Sequence, residues 1–175
     1  MDTDALLKSF KRKPLAAIEG LSHSLAIGRI DIERILPHRS PVLYVDRLTG
    51  VDFERGIIAG ERTIDPADPV FRGHFPDYPV YPGTYTVEMI GQLGLCLYHF
   101  LENKTTAVAP DAKPQALRAT RILGALFQEP ILPGMTVTLL AQKLEFDGFL
   151  ATAVGQAIVG GKIACVSVGE VAFLQ

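Results

Sequence analysis

Hydrophobic and polar positions follow helical spacing at the start of this chain and strand-like spacing at its end. Near the start, Leu7 and Phe10 share one helical face, and Pro14 opens a second apolar segment that runs through Leu25 at the same spacing. This pattern predicts that residues 1–28 form a helical N-terminal extension.

The spacing changes to that of β-strands after the extension. A short helix is predicted over residues 30–36, followed by two strands rich in β-branched residues over 41–51 and 55–64. Four more strand-like runs lie between residues 115 and 175, separated by short turns that contain Gly or Pro. The end of the chain therefore predicts an antiparallel meander.

One long helix is predicted in the body of the chain, from Gly83 to Glu102. Between Thr84 and Leu101 its only charged side chain at neutral pH is Glu88, and apolar residues occupy every face. A helix that is apolar all round is buried on all sides. We therefore predict an α+β fold in which a curved antiparallel sheet wraps around this central helix.

The composition of the chain limits which partners the protein can bind and where in the cell we expect it. The 17 basic and 19 acidic side chains give a net charge of -2, which supplies no overall field for nucleic acid or an anionic membrane. No apolar run reaches the roughly 18 residues of a membrane span, and the N-terminus begins with acids, unlike a signal peptide. We expect a cytoplasmic protein.

Cys96 and Cys165 lie in apolar stretches, which indicates buried small side chains and no metal site.

A basic cluster stands within the extension. It consists of Lys8, Lys11, Arg12 and Lys13. Such a cluster is either a solvated helix face or a docking patch for an acidic partner.

Glu88 is a candidate for chemistry because the predicted burial of its helix reverses the usual preference of glutamate for a solvated surface. A carboxyl group in apolar surroundings can stay protonated near neutral pH and serve as a proton donor. Gln92 lies four residues later on the same helical face, where its amide is placed to orient that carboxyl group. The same amide also fits a structural role, in which it only satisfies a buried polar group.

His74 and Gly83 add a base and a site for an oxyanion. His74 stands in a stiff loop between a glycine and a Phe-Pro pair, and a histidine can take a proton at neutral pH. Gly83 follows Pro82 at the predicted helix start, where free N–H groups can hold a developing negative charge. Taken singly, His74 can also be an incidental loop histidine, and Gly83 can also mark an ordinary helix start. Together with Glu88 they match proton removal beside a carbonyl with loss of a β-hydroxyl as water.

Two stretches of the chain resemble a known family. The stretch GHFPDYPVYPGTYTVEMIGQ over residues 73–92 resembles the signature of the 3-hydroxyacyl-[acyl-carrier-protein] dehydratases, and LPHRSPVLYVDRL over 36–48 resembles a second family stretch. The resemblance implies a hotdog fold over residues 29–175, with His74 as the catalytic histidine and Glu88 as the catalytic acid. It implies no metal or organic cofactor. It also implies a homodimer, often assembled into a hexamer, in which His74 of one subunit faces Glu88 of the other.

The resemblance also indicates the reaction. In this family a glutamate at position 88 is typical of the branch that only dehydrates, whereas the isomerising branch carries aspartate. We therefore expect conversion of (3R)-3-hydroxyacyl thioesters, carried on acyl carrier protein, to trans-2-enoyl thioesters. The alternatives are a hotdog thioesterase, an isomerising dehydratase and a non-catalytic acyl-binding protein. Where the family tends to carry basic residues that meet the acidic carrier, this chain has Gln128 and Glu129.

Overall fold

The computed structural model describes residues 2–174. Its helices are α1 (Thr3–Phe10), α2 (Arg29–Ile35) and α3 (Gly83–Asn103), with short 3-10 helices at Ile18–Gly20 and Pro69–Arg72. Its strands are β1 (His23–Gly28), β2 (Arg47–Asp52), β3 (Ile57–Thr63), β4 (Leu117–Phe127), β5 (Thr136–Phe146), β6 (Leu150–Val159) and β7 (Lys162–Phe173).

The strands form one sheet in the order β1-β2-β3-β5-β6-β7-β4, and every neighbouring pair is antiparallel. The sheet curves around α3, which packs against β3, β5, β6 and β7. The predicted α+β hotdog fold is therefore confirmed. The order leaves β1 and β4 at the two edges of the sheet.

The central helix α3 matches its predicted position, but only part of its surface is covered. A stripe of side chains at helical spacing is fully buried against the sheet: Met89, Leu93, Cys96, Leu97 and Phe100. In the first half of the helix, Thr84, Tyr85, Glu88 and Gly91 are exposed. The prediction that α3 is buried on all sides is therefore wrong for the chain by itself, because no other element of residues 2–174 covers this face.

The N-terminal extension is only partly helical. α1 forms its start, but the helix predicted from Pro14 to Leu25 is wrong, because that stretch runs into β1, which pairs with β2. Leu25 and Ile27 face the core and alternate with exposed neighbours, while Leu21 and Leu25 also fit helical spacing. The sheet therefore begins ahead of the boundary predicted at residue 29, and we place the proposed start of the hotdog domain at β1.

Residues 3–22, which we call the strap, cross the face of the sheet that points away from α3. Their apolar side chains form a second hydrophobic cluster with strand residues whose neighbours in sequence face α3. The strap contributes Leu7, Phe10, Leu15, Ile18 and Leu21, and the strands contribute Leu140, Ile158, Val166 and Val168. The strap thereby covers the outer apolar face of the sheet.

A single side chain fixes the middle of the strap. Gln156 of β6 is fully buried, and its Nε2 donates to the carbonyl oxygens of Phe10, at 2.6 Å, and Lys13, at 2.9 Å. Its Oε1 accepts from the backbone N–H of Leu15 at 2.8 Å. The amide is therefore fully used in holding the strap backbone.

Cys96 and Cys165 are free and buried, as predicted. Across residues 2–174, no helix combines the length and the apolar character needed to cross a membrane.

Candidate active site

The loop after the 3-10 helix Pro69–Arg72 holds His74 in one orientation. Nδ1 of His74 lies 2.8 Å from the carbonyl oxygen of Val80, and the backbone N–H of Val80 donates to the carbonyl of His74 at 3.0 Å. The ring stacks on Phe75 with a centroid distance of 4.2 Å. Because a carbonyl oxygen only accepts, Nδ1 carries the hydrogen, and in the neutral ring Nε2 keeps its lone pair. His74 is thus set up as a base through Nε2.

The start of α3 offers backbone donors beside His74. No side chain caps this helix, and the N–H groups of Tyr85 and Thr86 both donate to the carbonyl of Pro82. Within residues 2–174, the N–H groups of Gly83 and Thr84 have no acceptor. These N–H groups lie at the positive end of the helix dipole, which favours a negatively charged or polarised oxygen.

Gly83 is also in close contact with an aromatic ring. A Cβ atom added to Gly83 would lie 2.7 Å from Cε1 of Phe127, so only glycine fits here without movement of the ring. Phe127 ends β4 and is 58% exposed. His74, Gly83, Phe127 and Gln128 line one open cleft of about 560 Å³. The predicted base and the predicted oxyanion site are therefore brought together.

Glu88 lies outside this cleft. It is five residues after Gly83, which at roughly 100° per residue turns it to another side of the helix. It lines a separate, mainly apolar cavity of about 140 Å³ between α3 and strands β4, β6 and β7. Its side chain is 51% exposed, so the prediction of a buried glutamate is wrong for the chain by itself. Within one chain, His74 and Glu88 do not share a cavity.

Gln92 holds one oxygen of Glu88, as the helical spacing predicted. Its Nε2 donates to Oε1 of Glu88 at 2.9 Å and to the carbonyl of Val42 at 2.8 Å. Its Oε1 accepts from the N–H of Tyr44 at 2.7 Å. The buried amide is therefore anchored to the segment before β2, and the carboxyl group is anchored through it.

His38 also contacts Glu88, although its sequence context indicates only a structural or surface residue. Its Nε2 lies 3.5 Å from Oε1 of Glu88, while its Nδ1 is buried with no hydrogen-bond partner among residues 2–174. The available signal was its place in the stretch LPHRSPVLYVDRL. The stretch alone could not predict the contact with Glu88, because His38 and Glu88 are far apart in sequence.

A second carboxyl group, that of Glu170, lines the cavity beside Glu88. Its oxygens accept from Nε and Nη2 of Arg121, at 3.0 and 2.6 Å, and from Oγ1 of Thr120 at 2.7 Å. The hydrogen bond from Arg121, followed by that from Thr120, holds the pKa of Glu170 below its ordinary value. Glu170 is thus held as an anion, and its oxygens are occupied by Arg121 and Thr120. In residues 2–174 no three His, Cys, Asp or Glu side chains cluster as metal ligands would.

Solved structures share the fold of this chain. A chain of the dehydratase heterocomplex ApeI:P from Xenorhabdus doucetiae matches with a TM-score of 0.63 at 16% identity, covering 82% of this chain and 91% of that one. A putative thioesterase related to phenylacetic acid degradation, from Ralstonia eutropha, matches with a TM-score of 0.52 at 15% identity, covering 71% and 82%. At such identities the likeness concerns the fold alone.

Curated relatives are considerably closer in sequence. The 3-hydroxyacyl-[acyl-carrier-protein] dehydratase FabZ of Koribacter versatilis is 35% identical over 136 residues, which are 77% of this chain and 81% of that protein. FabZ of Campylobacter jejuni is 34% identical over 138 residues, covering 78% and 90%, and FabZ of Chlamydia muridarum is 32% identical over 155 residues, covering 88% and 95%. The model of the FabA-like domain matches residues 36–167. The chain therefore belongs to the FabA-like family, which it shares with the FabZ dehydratases.

Proposed function

We propose that this protein is a hydro-lyase that converts (3R)-3-hydroxyacyl thioesters, carried on acyl carrier protein, to trans-2-enoyl thioesters in fatty acid or related acyl-chain synthesis. The observation that carries this proposal is the hydrogen bond from Nδ1 of His74 to Val80, which leaves Nε2 basic in the cleft with the free N–H groups of α3. The shared name of the relatives, 3-hydroxyacyl-[acyl-carrier-protein] dehydratase, supports the same reaction.

The first step is removal of a proton from C2. Nε2 of neutral His74 takes this proton, and negative charge develops on the thioester oxygen. The N–H group of Gly83 donates to that oxygen, an interaction worth roughly 3–4 kcal/mol per donor in comparable sites. Its lack of a side chain lets the thioester approach the helix start closely.

The second step is loss of the C3 hydroxyl group. The electron pair from the C2–H bond forms the C2–C3 double bond, the C3–O bond breaks, and protonated Glu88 gives its proton to the departing oxygen, so that water leaves. Because Oε1 of Glu88 is held by Gln92, Oε2 is the oxygen placed to carry that proton. Proton transfer from His74 back to Glu88 through solvent restores the starting state.

The active site requires a second copy of the chain. In one chain the base and the acid occupy separate cavities, and the face of α3 that carries Glu88 is exposed. Among residues 2–174, the edge strand β4 pairs only with β7, and its Ile122 is 69% exposed. Such edges pair readily with another chain. A homodimer that covers these surfaces brings His74 of one subunit to Glu88 of its partner, and three such dimers form a hexamer. We place this assembly in the cytoplasm.

Turnover by two variants tests the reaction. Purified His74→Ala and Glu88→Gln are compared with the parent in hydration of a crotonyl pantetheine thioester, the reverse reaction, followed at the absorbance of the enoyl group. We expect each variant to lose about 10²–10⁴-fold in rate. His23→Ala is the matched control, because His23 lies in the edge strand β1 and lines neither cavity. Rates equal to the parent in both variants refute the proposal.

The products distinguish the alternatives. Release of free thiol identifies a thioesterase, and a 3-enoyl product identifies an isomerising dehydratase. Tight binding of acyl ligands without turnover identifies an acyl-binding protein.

A further inference from the structure

The basic cluster of the strap is solvent-accessible and uncompensated. Lys8, Arg12 and Lys13 are exposed and Lys11 is half-buried. Across the described residues 2–174, none of the four forms an ion pair. Their backbone positions are fixed, however, because Gln156 binds the carbonyl of Lys13.

The structure brings this cluster to the rim of the cleft that holds His74. Nε2 of Gln128, a residue that lines the cleft, donates to the carbonyl of Lys11 at 3.1 Å. α1 is seated on β4 just before the cleft, since a Cβ atom added to Gly124 would lie 2.8 Å from Cδ1 of Leu7. The basic side chains therefore project into solvent beside the mouth of the cleft, on a backbone that is hydrogen-bonded to its wall.

Acidic groups nearby do not cancel this charge. Glu129, also at the cleft, faces Lys162 at 3.7 Å. Asp2 accepts a hydrogen bond from the N–H of Ala5 as the N-cap of α1, and Asp4 lies in the first turn of the same helix. Both acids therefore stand at the end of α1 that is farther from Lys11, Arg12 and Lys13. The rim is thus left with a local excess of positive charge.

We propose that Lys11, Arg12 and Lys13, with Lys8, form the docking surface for the acidic acyl carrier protein that delivers the thioester to the His74 cleft. This inference rests on the proposed dehydratase function. A carrier protein presents its acyl group on a flexible arm, so the carrier itself must bind beside the mouth of the cleft. Complementary charge at the rim raises the rate of productive encounter. The strap thereby supplies the positive charge that Gln128 and Glu129 do not.

The test compares two forms of one substrate. The triple variant Lys11→Glu/Arg12→Glu/Lys13→Glu is assayed with a 3-hydroxybutyryl group on a bacterial acyl carrier protein and on free pantetheine, which carries no charge. We expect kcat/KM with the carrier-borne substrate to fall by about 10-fold or more, mainly through KM, because charges at the rim act on association. We expect kcat/KM with the pantetheine thioester to stay at the parent value, and salt to weaken carrier use by the parent but not by the variant.

The control is Lys104→Glu/Lys113→Glu, since both lysines lie beyond the C-terminal end of α3, opposite its start at Gly83. Melting temperatures verify folding, and the charge-neutral Lys11→Gln/Arg12→Gln/Lys13→Gln variant replaces the triple variant if the latter unfolds. Equal loss of activity on both substrates, or no loss on the carrier-borne one, overturns the docking surface. If the parent dehydrates neither substrate, the proposed function itself fails.

Discussion

Nε2 of His38 lies 3.5 Å from Oε1 of Glu88, the same oxygen that accepts a hydrogen bond from Gln92. Both neighbours therefore act on one oxygen of the carboxyl group. Nδ1 of His38 is buried without a partner among residues 2–174, so the polar neighbour that the structure gives this imidazole is Glu88. The two contacts are made to Oε1, and Oε2 is the oxygen that carries the proton in the proposed mechanism.

Replacement of His38 should weaken catalysis without weakening binding. His38→Phe keeps a ring of similar size but removes Nε2, and we expect kcat on the pantetheine thioester to fall roughly 10-fold with KM unchanged. His38→Gln restores a donor and should recover part of the loss. A His38→Phe enzyme with the parent's kcat and melting temperature would show that the contact has no positioning role.

Mixed subunits should recover activity that neither inactive variant has. His74→Ala and Glu88→Gln, unfolded together and refolded, form dimers at random, and in each mixed dimer one of two sites regains both groups. We expect about a quarter of the parent's activity, since about half of the dimers are mixed. Each variant refolded alone is the control. An inactive mixture, with mixed dimers demonstrated by two affinity tags, would place both groups in one chain.

Gly83 and Phe127 allow backbone access to be separated from ring packing. Gly83→Ala brings a Cβ atom to 2.7 Å from Cε1 of Phe127, and the exposed ring can move aside. We expect a small change in melting temperature but a loss of roughly 10-fold or more in kcat, because the methyl group obstructs the approach of the thioester oxygen. In the background of Phe127→Ala, the same loss should persist. Recovery of activity in the double variant would mean that displacement of the ring caused the defect.

His99 should make stability depend on pH. Burial lowers the pKa of His99 below its ordinary value, while the nearby charge of Glu102 acts in the opposite direction. The imidazole of His99 binds a proton more readily in the unfolded chain than in the folded chain. Its contribution to the free energy of unfolding is therefore complete above the unfolded pKa and declines as the pH falls below that value. We expect the melting temperature to drop between about pH 7.5 and about pH 5.5, and His99→Leu to flatten that dependence. A leucine variant with the parent's slope would contradict this assignment.

Local patterns predicted the parts of the fold whose periodicity is long and unambiguous. The helix over residues 83–103 and the strands between 117 and 173 are examples. The helix predicted from Pro14 to Leu25 is wrong because Leu21 and Leu25 satisfy both helical and strand spacing. The strand predicted over residues 41–51 begins only at Arg47, because the side chain of Gln92 binds backbone groups in the preceding segment.

The candidate site also combines features that local sequence predicts with features that depend on the tertiary fold. His74 and Gly83 are brought together by a short loop, so their neighbourhood followed from local sequence. The contact between His38 and Glu88 depends on a tertiary arrangement, and the exposure of Glu88 depends on which faces of α3 the chain itself can cover. A local sequence pattern therefore predicts neither the contact between His38 and Glu88 nor the exposure of Glu88.

The hydrogen bonds of Gln156 span 146, 143 and 141 positions of the sequence. During synthesis, the segment that carries Lys11 to Lys13 leaves the ribosome well before β6, and it cannot reach its final place until β6 has been made. Contacts of this separation also carry a large loop-closure entropy, which places them late in folding. The basic segment is thus made long before the side chain that fixes it, and it is among the last parts of the fold to be fixed.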